Sequence, residues 1–329
     1  MAGPHATSDA RNYVGLFKEA VKGTGGAPTI FVAFTDDVDL SHNQDIKGLK
    51  EAGGNGSITD SEKLGHMPSG GFSFRARPST AARLTAFLLG ADSISGAGPY
   101  DHVLTHDLVA DYVSVEQNLA DEAVERFIDC VISQLTFEVA NEDTHKLRLS
   151  GQWLGGQPSV IGAATAETYD AETAFVLRDA TWTIDGAGPT NVQRMTVTAQ
   201  MRYAVERISD VIPLYLIKLG LDVTGEITQL ILDWSTEYRK VQYGSSAGTT
   251  YQKSPTSGSL IADFAYGAGG AARGFKIEVP NLDYLDAKYT NLNPEGSAVK
   301  VVRTFHGKAL GATPIFRVTA KTNDSAAYV

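Results

Sequence analysis

In the sequence Gly71-Phe72-Ser73-Phe74-Arg75, large aromatic side chains alternate with small or polar ones. A period of two residues is typical of a strand with one buried face. Pro78 then begins a short helix and Gly90 ends it. The apolar face of this helix is formed by Leu84, Phe87 and Leu88. The stretch predicts a strand followed by a helix.

A similar order recurs in the second half of the chain. Residues 225–234 are predicted to form a strand, and residues 235–242 a short helix that Gly244 ends. Tyr238 and Val241 are the apolar side chains that point inward from this helix. The second half therefore repeats the order of the first, which indicates an internal duplication.

Three glycine pairs give this duplication a nearly constant period. The members of each pair are 154, 154 and 156 residues apart, in the order Gly71 and Gly225, Gly90 and Gly244, Gly151 and Gly307. Glycine at a turn or helix end adopts backbone conformations that other residues resist. We expect the halves to superpose with these glycines aligned. The alternative is two unrelated β-rich halves.

The chain of 329 residues is long enough for two domains. The duplication places the boundary within residues 155–170, so that residues 1–160 form the first domain and residues 161–329 the second. Strands predicted over residues 127–139 and 147–154 make the first domain mainly β.

Other segments show a weaker pattern. Residues 8–23 place apolar side chains at helical spacing and predict an N-terminal helix, and residues 29–34 predict a strand. Residues 42–70 and 244–274 are polar and rich in glycine, so we expect two long flexible loops. The apolar positions of the N-terminal helix are Tyr13, Leu16, Phe17, Ala20 and Val21.

Composition excludes several classes of protein. The chain has 28 basic and 38 acidic residues and a net charge of −10, which disfavours a protein that grips phosphate backbones. Cys130 is the only cysteine, so a disulfide framework and a thiolate metal cage are excluded. The longest apolar stretch, residues 211–221, is shorter than the ~20 residues that span a bilayer. Without a signal-like segment in residues 1–12, we expect synthesis in a cytoplasm.

No motif predicts catalytic, cofactor-binding or metal-binding residues. The sequence Gly244-Ser245-Ser246-Ala247-Gly248 matches G-x-S-x-G, but a nucleophile elbow needs a strand before the serine and a helix after it. His102 and His106 have ligand-like spacing, yet their segment indicates an extended chain and no further ligand follows. The acidic run at residues 36–39 lacks the spacing of a calcium-binding loop.

The chain resembles the tail tube (major tail) proteins of long-tailed bacteriophages, in a duplicated-domain form. In the first half the similar sequences are GGFSFRARP at residues 70–78 and PYDHVL at residues 99–104. In the second half they are ATWTIDG at 180–186, DVTGEI at 222–227 and FKIEVP at 275–280.

The resemblance implies a structural virion protein without catalytic residues. Each half would be a β-sandwich or half-barrel with a flanking short helix and a long loop that reaches a neighbouring ring. The chain would form a ring with itself, as a homotrimer of pseudo-sixfold symmetry or a homohexamer. Stacked rings would form the tail tube of the virion, with a tape-measure protein and DNA in the lumen and other tail proteins as partners. No membrane partner is implied.

Other functions remain open at this point. A different tail or baseplate component would have the same kind of domain, because a fold does not determine a function. A carbohydrate-binding β-sandwich and a hydrolase that uses Ser246 are the alternatives outside the phage tail.

Overall fold

The alternating apolar pattern produces a mainly β chain. Its computed structural model describes residues 13–33, 39–49, 58, 60–119, 123–141, 145–161, 163–189, 191–207, 212, 215–231, 236–290 and 298–329. The helices are α1 (Pro78–Leu89) and α2 (Thr236–Tyr243). The strands are β1 (Tyr13–Lys18), β2 (Ile30–Val32), β3 (Asp39–Ser41), β4 (Gln44–Leu49), β5 (Asp60–His66), β6 (Ser69–Arg75), β7 (Gly90–Ser95), β8 (Tyr100–His106), β9 (Val113–Leu119), β10 (Ala123–Ala140), β11 (Arg148–Val160), β12 (Ala180–Ile184), β13 (Val192–Glu206), β14 (Tyr215–Leu230), β15 (Ser257–Tyr266), β16 (Arg273–Thr290), β17 (Lys300–Gly307) and β18 (Arg317–Thr322).

Sixteen of these strands form one sheet in which every pair of named strands is antiparallel. One path through it runs β2-β1-β9-β10-β13-β14-β17-β16-β18-β8-β7. Off this path, β11 pairs with β10 and β6, β3 pairs with β6, and β15 joins β12 to β16. β4 and β5 form a separate two-stranded sheet. The fold class is the expected one, mainly β and consistent with a β-sandwich.

Helix α1 confirms the most local of the predictions. Pro78 stands in its first turn, and Gly90 ends it with a left-handed φ of 98°. Its burial is broader than the single predicted face, because the helix packs against β8, β10, β16 and β18. A helix that is apolar nearly all round is typical of an enclosed position.

The predicted N-terminal helix is wrong. Tyr13–Lys18 is strand β1, which pairs with β2 on one edge and β9 on the other. Tyr13 and Leu16 are buried in this sheet, and so are the residues between them, which helical spacing would have exposed. Residues 8–12 lie outside the described part of the chain. β2 confirms the strand predicted over residues 29–34 within its described residues.

Both predicted long loops contain regular structure, so these predictions are wrong as well. Residues 42–70 include the hairpin β4–β5 and the start of β6, and residues 244–274 include β15. The hairpin was missed because its strands lie in solvent and therefore lack the alternation that burial imposes. β15 was missed because glycine and alanine dilute its apolar positions.

The hairpin β10–β11 recurs in the hairpin β16–β17 with the same pairing of residues. Eight successive pairs of the first hairpin correspond to eight of the second at one constant separation along the chain, bulge included. The bulges lie at Ser133 and Leu285. The first and last of the eight corresponding pairs are Cys130–Gly155 with Leu282–Gly307 and Glu138–Arg148 with Thr290–Lys300.

The remaining strands correspond in the same way, each at its own separation. β1 corresponds to β12, β3 with β4 to β13, β5 with β6 to β14, and β9 to β15. The first set has the order β1-β9-β10-β11-β6-β3, and the second has β12-β15-β16-β17-β14-β13. Two sets of strands therefore share one order and one register.

This register corrects two of the three predicted glycine pairs. Gly70, and not Gly71, occupies the position of Gly225, and Gly155 occupies the position predicted for Gly151. The third pair holds, because Gly90 and Gly244 both follow a helix with a positive φ, 98° and 74°.

Candidate assembly surfaces

Two hairpin arms extend from the corresponding strands. The first arm, residues 44–66, consists of β4 and β5, and the second arm, residues 201–221, is the outer part of β13 and β14. Each arm has one unpaired extra residue on its returning strand, Leu64 in the first and Leu219 in the second. The arms are therefore built alike, down to the position of the bulge.

The second arm packs against the first half of the same chain. The Lys218 side chain is fully buried, with Nζ 3.4 Å from the carbonyl oxygen of Leu89 and 3.8 Å from Oδ2 of Asp111. Leu89 is the last residue of α1, and carbonyl groups at a helix C-terminus attract a cation. Burial lowers the pKa of Lys218 and raises the pKa of Asp111. The Tyr203 hydroxyl donates to the carbonyl of Ile132 in β10 at 3.2 Å.

The first arm is buried at its base, where Gly65 lies beside the Arg207 side chain, and the described side chains of the rest of the arm are exposed. Ile46 is 60% exposed, Ile58 61% and Leu64 42%, and Lys63 is exposed as well. Apolar side chains grouped on an exposed hairpin are typical of an interaction surface. The two arms thus have the same construction but differ at the lysine, since Lys218 is buried and Lys63 is exposed, whereas the bulged leucines are exposed in both.

The two helices also differ in burial: α1 is more buried than α2. Ten of the 12 residues of α1 are buried, whereas Val241 is the one buried residue described in α2. α2 packs on β16 and β17, where Tyr238 stacks on Tyr289 with ring centroids 4.5 Å apart. Strands of both halves therefore cover α1, whereas α2 is open on one side.

A buried carboxylate holds the first half together. Glu116 on β9 accepts the Tyr13 hydroxyl at 2.5 Å and the Arg126 guanidinium at 2.6 Å. Burial alone would raise the pKa of Glu116, but hydrogen bonds from Tyr13, Arg126 and Thr165 outweigh it and the pKa is lowered. A carboxylate that is satisfied in this way stabilises the fold only while it is ionised.

We expect Glu116→Gln to lower the free energy of unfolding by ~1.5–3 kcal/mol at neutral pH, the contribution of a hydrogen-bonded charge. Because the folded pKa lies below the unfolded value of 4.5, the contribution of Glu116 is present above that pH and is lost as the pH falls through the folded pKa. The difference between variant and native chain should therefore shrink on acidification, as measured by urea unfolding. Glu138→Gln is the control, since its ion pair with Arg194 is partly exposed. A difference for Glu116→Gln that is independent of pH would contradict the expectation.

The residues with ligand-like spacing have structural roles or lie apart. The His102 ring is buried on β8, with Nδ1 2.9 Å from Asp92 Oδ2 and Nε2 2.8 Å from the carbonyl oxygen of Asp324. His106 is at the far end of β8, where burial lowers its pKa. Within the described ranges, no group of three or more His, Cys, Asp and Glu residues is arranged to hold a metal ion.

The serine motif is not a nucleophile elbow. Residues 244–248 follow helix α2 and form a turn in which Gly248 N–H donates to the carbonyl of Ser245 at 3.0 Å. No strand immediately precedes Ser246, so its hydroxyl is not held on the strand-to-helix turn that activates a nucleophile. Residues 36–38 of the acidic run lie outside the described residues.

No catalytic or ligand-binding motif points to the arms, but the sequence contains one signal for them. Lys63-Leu64-Gly65 in the first arm and Lys218-Leu219-Gly220 in the second are the same tripeptide. The central leucine is the bulged residue in both arms. A repeat search with variable spacing would have aligned them.

A β-rich chain with one exposed arm and an open helix face has the features of a structural protein that assembles through its surfaces. The family profile described as phage tail tube protein matches residues 9–301. The chain belongs to the phage tail tube protein family, and is a structural component of the phage tail. No curated protein matches it. Neither helix in the described part of the chain is long and apolar enough to cross a membrane.

Proposed function

We propose that the chain polymerises as stacked rings into the tail tube, through which phage DNA passes into the host. The observation that carries this proposal is the pair of corresponding strand sets. The two sets bind each other within the chain through β10 and β13. The strands that correspond to these two are available to bind another copy in the same way. Membership of the family supports a role in the phage tail. The exposed arm and the open face of α2 support association between copies of the chain. On this proposal the protein has no catalytic activity.

The domain organisation is part of the same proposal. Residues 1–160 and 161–329 would be two tandem tail-tube-like domains, each with one strand set and one helix. Two similar domains can occupy successive positions around an axis, so three chains would close a ring of pseudo-sixfold symmetry. A homohexamer of whole chains is the other ring that the family allows.

Charge is compatible with a conduit. The net charge of −10 keeps the protein from gripping phosphate groups, so DNA in the lumen would not be held by counterion release. A tape-measure protein would occupy the lumen before DNA, and other tail proteins would bind the ends of the tube. The subunits would be synthesised in the host cytoplasm and assembled into the virion there.

Electron microscopy of the purified protein tests this function. We expect rings or tubes of constant diameter with a central channel, and three copies in each ring. Isolated rings that never stack would favour a baseplate component. Monomers at every concentration would contradict the proposal.

A further inference from the structure

Two pairs of named strands join the halves of the chain, β8 with β18 and β10 with β13. Residues 134–140 of β10 pair with residues 194–200 of β13 in antiparallel register. At the centre of the contact Thr136 lies opposite Thr198, with their hydroxyl oxygens 3.0 Å apart. The first half thus contributes one edge of β10, and the second half contributes β13, the strand that continues into the second arm.

Neither counterpart of these two edges pairs with a further strand in the part of the chain that the structure describes. β10 corresponds to β16, and over residues 286–288 no strand in the described part of the chain pairs with the second edge of β16. Ala287 N–H donates instead to Oδ1 of Asp286 at 2.8 Å, and the Ala287 carbonyl accepts from Gln242 Nε2 at 3.2 Å. Side chains of the same chain therefore occupy the groups that would pair with a strand.

β13 corresponds to β3 and β4, which are likewise incomplete. β3 pairs with β6 on one edge, and no described strand lies on the other. His42 and Asn43 interrupt the strand between β3 and β4, and Asn43 has a φ of 38°. The corresponding residues Ala199 and Gln200 continue β13 without a break, because β10 pairs with them. The interruption coincides with the absence of a partner strand.

We propose that β3 and the first arm of one chain bind the open edge of β16 and the end of α2 on a second copy of this chain. The contact repeats the one between β13 and β10, so its register follows from the correspondence of β3 and β4 with β13 and of β16 with β10. Ser41 would lie opposite Lys288, His42 opposite Ala287, and Asn43 opposite Asp286 of the second copy. This rests on the proposed self-assembly and names its interface.

The arms support the same arrangement independently of the strand edges. Lys218 of the second arm reaches the C-terminus of α1, and its counterpart Lys63 is exposed. In the second copy Lys63 would reach the carbonyl of Tyr243, the last residue of α2. The arm would also cover the face of α2 that is open in the single chain. Exposed Ile46, the counterpart of half-buried Tyr203, would move into an apolar contact.

The interface joins two different surfaces, so it is heterologous. Each chain has one first arm that binds and one β16 edge that is bound. Chains therefore add one after another, and the ring closes when the arm of the last chain binds the edge of the first. If the step between copies equals the step between the halves of one chain, the same contact recurs at every junction of the ring.

Cysteine cross-linking tests the register. Ser41→Cys and Lys288→Cys in one chain are expected to give covalent oligomers on oxidation, resolved on a non-reducing gel, because their counterparts Thr136 and Thr198 touch. A mixture of the two single variants should give covalent pairs, and each single variant alone should give none. Thr136→Cys with Thr198→Cys is the positive control and should close within one chain. Cys130 does not interfere, since it is buried and burial raises the pKa of its thiol.

The outcomes separate this inference from the proposed function. Tubes seen by electron microscopy, without a cross-link between the cysteines introduced at positions 41 and 288, would contradict the inferred interface and still support the proposed tube. Cross-linked oligomers that never form tubes would support the interface and contradict the tube. Monomers without a cross-link would contradict both.

A surface variant gives a second test that does not depend on disulfide formation. Ile46→Asp should leave the melting temperature of the monomer unchanged, because the side chain is 60% exposed, and should abolish assembly in sedimentation. Val160→Asp is the matched control, an apolar residue 80% exposed and outside the inferred contact, and should assemble normally. Normal assembly of Ile46→Asp would overturn the docking of the arm.

Discussion

Arg303→Ala is expected to lower the free energy of unfolding by about 3–5 kcal/mol, because it removes a fully buried side chain and leaves two partly buried acids without their cation. Arg303 is on β17 and is fully buried, with Nη1 2.8 Å from Glu237 Oε2 and 3.6 Å from Asp185 Oδ2. The same guanidinium donates to Gln229 and to the Tyr284 hydroxyl. It therefore ties α2 and the turn after β12 to the second strand set. Urea unfolding measures the loss.

Two further variants show whether geometry or charge matters at this position. Arg303→Lys keeps the charge but not the planar fork, so its loss should be intermediate. Arg202→Ala is the control, because its ion pair with Asp222 is exposed and such pairs contribute ~0–1 kcal/mol. An Arg303→Ala chain as stable as the Arg202→Ala chain would show that the buried cluster does not hold the second half together.

Phe87→Ala is expected to cost about 3–5 kcal/mol through the cavity that it leaves. Phe87 is 2% exposed on α1, a helix that β8, β10, β16 and β18 enclose. Surroundings that belong to both halves of the chain cannot collapse into the space without breaking strand pairs. Thermal unfolding should therefore show a single transition at lower temperature, since both halves lose packing together.

Arg83→Ala on the same helix is the matched control. Arg83 is partly exposed, and its guanidinium lies 3.2 Å from Asp324 Oδ1. An exposed ion pair of this kind contributes ~0–1 kcal/mol, so the melting temperature should hardly change. Unchanged melting of Phe87→Ala would mean that α1 is not part of the core.

The elements that could be predicted from the sequence are those whose signals are local. α1 was found because Pro78 and Gly90 mark its two ends within one short segment. β1 was not, because the spacing of Tyr13, Leu16 and Phe17 fits a helix as well as a doubly buried strand. Pairing with β9, which lies far along the chain, decides between them, and no local pattern reports that contact.

The sequence predicts the duplication correctly, but it aligns the strands of the two halves in the wrong register. The separation between corresponding strands is largest for β1 with β12 and smallest for β9 with β15, since the connections differ in length between the two sets. A search at one period therefore matched the helix ends and slipped on the strands, pairing Gly71 in place of Gly70 and Gly151 in place of Gly155. The first arm resembles a loop in sequence because most of its described residues are exposed, so burial imposes no alternation on them.

The pairing of β10 with β13 also has a kinetic consequence. Both strands belong to one polypeptide, and only residues 161–179 separate β11 from β12. A short connection of this kind holds its ends at an effective concentration on the order of millimolar, whatever the concentration of the protein. This junction therefore persists on dilution that would separate independent subunits. If the chain forms the proposed rings, each ring needs fewer bimolecular encounters than a ring built from single domains.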